Sequence, residues 1–221
     1  MIRYVLAALL ALLPFAAHAQ TDEQALVDRS TLTVQDMFAP PDAGDARSLL
    51  RRAQGALICP RIFKAGFIVG GQGGGCVLVG RGASGWSAPA FYDIGSGSVG
   101  LQIGIQDSEA VFLVLTERGL RALLDSQFKI GADASIAMAQ FGAGVGGSTT
   151  AALRADIVAF AKTSGLFAGV SLEGSLISSR STWNQSYYGR PIAAQQIVLQ
   201  NEANNPGSAP LRETLARYAG Q

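Results

Sequence analysis

The sequence predicts an α+β fold that is mainly antiparallel β-structure, with short helices at its N- and C-terminal ends. Several segments alternate apolar with small or polar residues at a period of two, as strands of an antiparallel sheet do when one face lies on the core. The predicted strands follow one another with a single helix inserted, unlike the strand–helix alternation of a parallel sheet. Because the strands are rich in glycine, we expect the sheet to curl into a barrel-like or sandwich core.

The first residues have the three parts of a secretory signal peptide. Arg3 provides the positive charge, an apolar stretch follows, and Ala17-His18-Ala19 is a small-residue cleavage motif. We expect cleavage after Ala19 and a periplasmic or secreted protein; a retained anchor is the alternative. The predicted organisation is a signal peptide at 1–19, a helical leader and linker at 20–44, and one domain at 45–221.

The composition excludes several classes of function. His18 is the only histidine of the chain and would leave with the signal peptide, which excludes a Ser-His-Asp triad, a Cys-His dyad and a histidine-ligated zinc site. The 17 basic and 16 acidic residues nearly balance, whereas nucleic-acid-binding proteins normally carry a basic excess. We therefore predict a protein that is not an enzyme and has no metal, cofactor or nucleic-acid partner.

Two cysteines remain in the predicted mature chain, Cys59 and Cys76. An exported protein with an even number of cysteines permits a disulfide. Both residues have apolar neighbours, so two buried and inert thiols are the alternative.

Helical patterns are concentrated towards the two ends of the chain. The closing helices include a short one that ends at Tyr187-Tyr188-Gly189, with the glycine as C-cap. The others are predicted at Asp22–Phe38, from an N-cap at Asp45 to a C-cap at Gly55, at Glu117–Asp125, around Ile192–Gln200, and from Pro210 onwards.

The strand patterns occupy the middle of the chain. Lys64–Pro89 is dense in glycine and predicts a pair of strands, while Glu109–Thr116 is apolar on both faces and predicts a central strand. Phe141–Thr150 is expected to be a loop or hairpin end. The remaining strands are predicted at Val99–Gln106, Phe128–Met138, Ala155–Lys162 and Leu166–Leu176.

The glycine run Gly70–Gly75 is not a phosphate-binding loop. It lacks the GxxxxGK[ST] pattern, and no strand–loop–helix unit surrounds it as a dinucleotide site requires. We interpret these glycines as structural, allowing strands to bend or approach closely.

Basic residues around the second predicted helix suggest a lipid-binding segment. Arg51, Arg52, Arg61 and Lys64 lie close in sequence to apolar residues, and guanidinium groups match phosphate oxygens in geometry. The alternative is an ordinary solvated helix face. Trp86 is a candidate interfacial anchor, although a tryptophan of the core that closes the strand pair is the preferred interpretation.

A second candidate site consists of polar residues on the small-residue faces of the predicted strands. If the sheet closes, Gln102, Lys129, Asp133 and Glu173 would surround a polar groove; otherwise they lie on a solvated outer face. A hydrolase using Asp133 and Glu173 is a weaker alternative, since nothing in the sequence sets the distance between the carboxyl groups.

The motifs of the chain, taken in order, resemble those of the SYLF, or Ysc84-like (DUF500), family of lipid-binding domains. The match runs from about Leu49 to the C-terminus. Its motifs are KAGFIVGGQGGGCVLV, GWSAPAF, GLQIG, VFLVLT, KIGADASIA, SGLFAGVSLEGSLI and NQSYYG.

The resemblance implies a lipid-binding domain without catalytic activity, here in an exported bacterial member. Eukaryotic relatives bind phosphoinositides through basic residues and an amphipathic helix, and by resemblance Arg51, Arg52, Arg61 and Lys64 are the counterparts of those basic residues. The expected partner is a phospholipid or anionic membrane surface. A protein partner in the cell envelope, contacted through the glycine-rich sheet, is the alternative; actin is not expected in that compartment.

Overall fold

The computed structural model describes residues 21–66, 69–99, 104–125, 127–139, 154–165 and 174–220. The helices in these ranges are α1 (Asp22–Phe38), α2 (Gly44–Arg52), α3 (Glu117–Leu124), α4 (Ser181–Tyr188), α5 (Ala194–Val198) and α6 (Ala209–Gly220). The strands are β1 (Gly55–Gly66), β2 (Val69–Gly82), β3 (Gly85–Trp86), β4 (Ala90–Val99), β5 (Gly104–Val114), β6 (Gln127–Lys129), β7 (Ile136–Ala139), β8 (Ile157–Gly165) and β9 (Leu176–Ser179).

The strands form one curled sheet of the half-barrel type, in the order β6-β9-β4-β2-β1-β5-β8-β7, with β3 added beside β2. The pairs along this order are antiparallel, except that β7 runs parallel to β8. The predicted α+β class, with helices at both ends of the chain, is confirmed.

In one half of the sheet, both faces are buried. Ala56 and Ile58 face a core shared with α1, α2 and α6, whereas Leu57 and Cys59 face a second core shared with α3 and α5. Because both faces are buried here, the segment from Glu109 to Thr116 is apolar on both faces. Its strand, β5, lies between β1 and β8 near the centre of the sheet, as predicted.

The other half of the sheet carries most of the glycines. There, β2 pairs with the last residues of β1 and with the Gly95–Val99 part of β4. The register of β1 against both neighbours shifts between Ile58 and Phe63. A Cβ atom on Gly74 would lie 2.0 Å from the carbonyl oxygen of Arg61 within this irregular segment, so only glycine fits beside it.

Most of the predicted helices are confirmed. α1 begins where expected, because the Thr21 side chain accepts a hydrogen bond from the Gln24 amide and acidic residues occupy the first turn. α3 and α6 also match their predictions, and Gly189 ends α4 in the left-handed conformation with φ of 68°.

The predicted ends of the second helix are wrong. Asp45 lies inside the first turn of α2, and the N-cap position is Ala43. Gly55 is the first residue of β1 rather than a C-cap, since the chain has already become extended at Ala53.

The predicted strand Phe128–Met138 is also wrong, because a turn divides it into β6 and β7. Gly131 adopts a φ of 85° in this turn, and the Lys129 amide donates a 2.6 Å hydrogen bond to the Asp133 side chain. A short polar side chain that bonds back to the main chain favours a turn over a continued strand.

Several predictions fall wholly or partly outside the described residues. These are the signal peptide at 1–19, the middle of the Val99–Gln106 strand, the loop at 141–150 and most of the strand predicted at Leu166–Leu176.

Candidate functional site

The basic residues predicted to act together do not form one cluster. Arg51 and Arg52 end α2 and are exposed, whereas Arg61 lies six residues along β1 from its first residue, a distance of about 20 Å in an extended strand. The Arg61 guanidinium lies over the Phe63 ring, and Lys64, the next residue of the regular part of β1, points to the opposite face from Phe63. These four residues are close in sequence, but they do not lie together in the folded protein.

Arg61 is held by two neighbours. Its Nε atom donates to Asp107 Oδ1 on β5 at 2.7 Å, and its guanidinium lies 5.6 Å from the centre of the Phe63 ring. The hydrogen bond from Arg61 lowers the pKa of the Asp107 carboxyl. Both side chains are largely solvated, so the pair contributes little to stability but fixes where the guanidinium points.

A groove lies between α1 and the part of the sheet that contains Arg61. It has two hollows, of about 560 and 470 Å³, which share Arg29, Pro60 and Arg61. The first hollow is otherwise lined by Leu32, Thr33 and Asp36 of α1 and by Asp107, Ser108, Glu109 and Lys162 of β5 and β8. The second is otherwise lined by Leu26, Phe63 and the backbone of Gly73, Gly74 and Gly75.

Exposed apolar side chains lie at the groove or beside it: Leu32 lines the first hollow, Phe63 lines the second, and Ile105 is two residues from Asp107 on β5; we call these three residues the apolar rim. Leu32 is 59% exposed, Phe63 is 40% exposed and Ile105 is 64% exposed. Phe63 and Ile105 lie on the α1 side of neighbouring strands, since β1 pairs Phe63 with Asp107 and Ala65 with Ile105. Apolar side chains grouped in this way on a surface indicate an interaction site.

Glu109 is the unusual ionisable group of the groove. Burial raises the pKa of its carboxyl, the nearby charge of Asp36 raises it further, and Lys162 and the Thr33 hydroxyl partly offset this. Its Oε2 atom is buried and finds no hydrogen-bond partner in the part of the chain that the structure describes. A buried acceptor without a donor is unfavourable, so this oxygen can accept a hydrogen bond from a ligand.

Trp86 belongs to the core. Its side chain is 5% exposed, its carbonyl accepts a 2.9 Å hydrogen bond from Arg212 of α6, and the Arg81 guanidinium lies 5.7 Å from its ring centre. A ring enclosed in this way cannot reach a headgroup layer while β3 and α6 remain packed. Its burial agrees with the core interpretation, so the proposed lipid-binding surface does not include Trp86.

The predicted polar groove is not assembled by the described residues. Lys129 and Asp133 are exposed at the turn between β6 and β7, where the Asp133 side chain accepts a hydrogen bond from the Lys129 amide. Gln102 and Glu173 lie outside the described residues, so the separation of the Asp133 and Glu173 carboxyls remains a matter of prediction.

The two cysteines form a disulfide. The sulfur atoms of Cys59 and Cys76 are 2.00 Å apart and join β1 to β2, and both residues are fully buried. The bond lies where the doubly buried half of the sheet meets the glycine-rich half, next to the irregular segment of β1.

Among the described residues, sequence reasoning missed Asp156, a buried carboxylate with several hydrogen-bond donors around it. It accepts hydrogen bonds from Thr116 Oγ1 and Ser135 Oγ, both at 2.7 Å, and from the guanidinium of Arg118. The bond from Arg118 is the main cause that lowers the pKa of Asp156. A lone aspartate within the apolar run Ala155–Lys162 was the available signal, since buried charges are normally paired.

Within the described ranges, none of the helices has the length and apolar character needed to cross a membrane. In the same ranges, no three His, Cys, Asp or Glu side chains are grouped so that they could hold a metal ion. Among the described residues, the groove combines a hollow with one buried carboxylate oxygen that has no hydrogen-bond partner, and we take it as the candidate site.

Comparison with known proteins identifies the family. The model of the Ysc84 family, described as Las17-binding protein actin regulator, matches residues 95–218, more than half of the chain. This chain belongs to the Ysc84 family. The membership confirms the resemblance found in the motifs.

Related Ysc84 proteins occur in yeast and in vertebrates. LAS seventeen-binding protein 3 of Saccharomyces cerevisiae is 33% identical over 83% of this chain and 39% of its own length. SH3 domain-containing YSC84-like protein 1 of Homo sapiens is 30% identical over 80% of this chain and 52% of its own length. The chain thus spans about two fifths to one half of these relatives, and the binding of Las17 is a property of the proteins so named.

Proposed function

We propose that this protein is an exported, non-enzymatic domain that binds phospholipid membranes through the apolar rim, with basic residues of its N-terminal segment attracting it to anionic surfaces. The observation that carries the proposal is the grouping of Leu32, Phe63 and Ile105 around the groove that contains Arg61. Apolar side chains that enter the headgroup boundary and cations that meet lipid phosphates are the two contributions that peripheral membrane proteins use.

Export is supported by the signal-peptide pattern and by the disulfide between Cys59 and Cys76, since disulfides persist in oxidising compartments. N-terminal sequencing of the exported protein tests it. We expect the mature chain to begin at Gln20, and a chain that retains the first residues contradicts the predicted cleavage.

Co-sedimentation with vesicles tests membrane binding and locates the surface. Phosphatidylcholine vesicles with and without phosphatidylglycerol are compared for the wild type, for Phe63→Ser/Ile105→Ser and for Arg51→Glu/Arg52→Glu. Leu199→Ser is the matched control, because Leu199 is an exposed apolar residue outside the apolar rim. It follows Val198, which packs beside Gly80, near the end of β2 that is farther from the groove.

We expect the rim variant to lose most of its binding and the control to retain it. The arginine pair lies more than a Debye length from the rim, so its variant should lose less. If the arginine variant alone loses binding, the contact surface lies at the end of α2. Failure of the wild type to bind either kind of vesicle rejects the function.

The names of the yeast relatives favour a second candidate, a protein partner bound by the same rim. Cross-linking from a photoreactive residue at position 63, in cells that export the protein, separates the two. A discrete protein adduct without vesicle binding supports the partner, and lipid adducts support the membrane.

A further inference from the structure

The groove beside α1 has a charge pattern that a membrane surface alone does not require. Arg29, Leu32, Thr33 and Asp36 occur at helical positions i, i+3, i+4 and i+7, so one face of α1 lines the first hollow. Arg29 and Asp36 are consequently two turns apart, about 10 Å along the helix. The charges of Arg29 and Asp36, which are opposite in sign, therefore lie at different positions along the groove; we call these the cationic end and the anionic end.

The cationic end lies where the two hollows meet. Arg29 and Arg61 line both hollows, whereas Asp36, Glu109 and Lys162 line only the first. Arg61 is paired with Asp107, but no ion pair within 4 Å joins Arg29, Asp36, Glu109 or Lys162 to another described residue. The groove thus presents charges of both signs, and Glu109 is matched only in part, by Lys162 across the strand pair and by the Thr33 hydroxyl.

The anionic end offers an acceptor for an N–H donor. Glu109 Oε2 has no hydrogen-bond partner among the described residues, and rotation about the terminal side-chain torsion exchanges the two carboxyl oxygens. Asp36 lies close enough that its charge acts on Glu109. A ligand ammonium between these carboxyls would satisfy the acceptor and relieve the repulsion between them.

The second hollow suits a hydrocarbon chain. Its walls are Leu26, Phe63 and Pro60, and its floor is the backbone of Gly73, Gly74 and Gly75. A Cβ atom on Gly75 would lie 3.1 Å from Leu26, so glycine there lets α1 approach the sheet. A chain leaving the Arg29–Arg61 junction would run along this apolar wall towards the rim.

We propose that the groove binds a phospholipid whose headgroup carries a primary ammonium and a phosphate. The ammonium lies at Asp36 and Glu109, the phosphate lies at Arg29 and Arg61, and one acyl chain follows the second hollow past Phe63. This inference rests on the proposed membrane function and adds the identity of the headgroup. A trimethylated ammonium has no N–H to donate, and an anionic headgroup without an amine would meet the two carboxyls unfavourably.

Vesicle composition tests the headgroup directly. The full mature chain is titrated with phosphatidylcholine vesicles in which half of the lipid is replaced by phosphatidylethanolamine or, separately, by phosphatidylglycerol. We expect affinity about tenfold higher with phosphatidylethanolamine than with phosphatidylcholine alone, the effect of one charge-assisted hydrogen bond. Equal affinity for these two compositions overturns the inference.

Two isosteric variants locate the ammonium site. Glu109→Gln and Asp36→Asn should each abolish the preference for phosphatidylethanolamine over phosphatidylcholine, whereas the exposed Glu213→Gln of α6 is the matched control and should keep it. Arg29→Gln should weaken binding to every phospholipid, with Arg217→Gln as its control. A preference that survives in both carboxyl variants overturns the assignment.

The outcomes separate this inference from the function on which it rests. Binding to vesicles without a preference for the primary amine rejects the headgroup assignment and leaves the membrane function standing. Absence of binding to all three compositions rejects both. Monomeric lysophosphatidylethanolamine provides an independent check, since it should bind the wild type more tightly than lysophosphatidylcholine without any membrane surface.

Discussion

Cys59 and Cys76 are bonded across β1 and β2 at the boundary between the two halves of the sheet. On one side of the disulfide lies the doubly buried half, in which Ile58 pairs with Val77. On the other side lies the irregular part of β1, which ends at Phe63. The bond therefore ties the two longest strands together where their backbone pairing is interrupted.

We expect the Cys59→Ala/Cys76→Ala variant to be less stable than the oxidised wild type by about 3 kcal/mol, because a cross-link closing a loop of this length restricts the unfolded chain. Urea denaturation measures the difference. Reduction of the unfolded wild type should produce a similar loss, and equal midpoints for the oxidised and reduced proteins would contradict the prediction.

Asp156→Asn should destabilise the fold by about 2 kcal/mol, since it weakens the bonds to Arg118, Thr116 and Ser135. Because the pKa of Asp156 is lower in the folded state than in the unfolded state, its stabilisation is present above the unfolded pKa and is lost as the pH falls through the folded one.

Thermal denaturation between pH 7 and pH 2 tests this pH dependence. The difference between wild type and Asp156→Asn should be constant near neutrality and shrink below about pH 4, the ordinary range of an aspartate. A difference that does not change with pH would assign the effect to packing alone.

Glu109→Gln should raise stability slightly at neutral pH, by about 0.5 kcal/mol, since the carboxyl is only partly removed from solvent. The pKa of Glu109 is raised by folding, so its favourable contribution is present below the unfolded pKa and lost as the pH rises through the folded one. The gain should therefore be larger at pH 7 than at pH 4 in thermal denaturation. A loss of stability at pH 7 would show that Lys162 outweighs burial.

Two glycine substitutions should have opposite effects. A Cβ atom on Gly80 would lie 2.6 Å from Val198 Cγ1 and 2.8 Å from the Val198 carbonyl oxygen, so Gly80→Ala should cost about 1–3 kcal/mol by displacing α5. Gly97 has nothing within 4 Å of the same position, and Gly97→Ala should be neutral or stabilise the strand by up to about 1 kcal/mol. Urea midpoints compare them, and equal effects would contradict the packing argument.

Local signals in the sequence were enough to predict most helices and the central strand. Thr21 and the acidic residues after it specify where α1 begins, and Gly189 specifies where α4 ends, because caps depend on a few neighbouring residues. The apolar character of Val111–Val114 on both faces likewise predicted burial. Alternation failed for Phe128–Met138, where Asp133 bonds to the Lys129 amide and a turn prevails over the period-two pattern.

The groove could not be predicted in the same way, because its residues come from four separate segments. Arg29 and Asp36 come from α1, Arg61 from β1, Glu109 from β5 and Lys162 from β8. Glu109 faces Lys162 only because of the register between β5 and β8, which depends on long-range packing rather than on either strand alone.

The sequence by itself determined the family, the α+β class, the central strand and the ends of several helices, since each depends on neighbouring residues or on motifs in fixed order. Only the tertiary structure decided that Arg51 and Arg61 lie apart, that Trp86 is buried and that Cys59 is bonded to Cys76. Those relationships depend on how distant segments pack, because an extended strand separates residues that are close in sequence and pairing brings distant ones together.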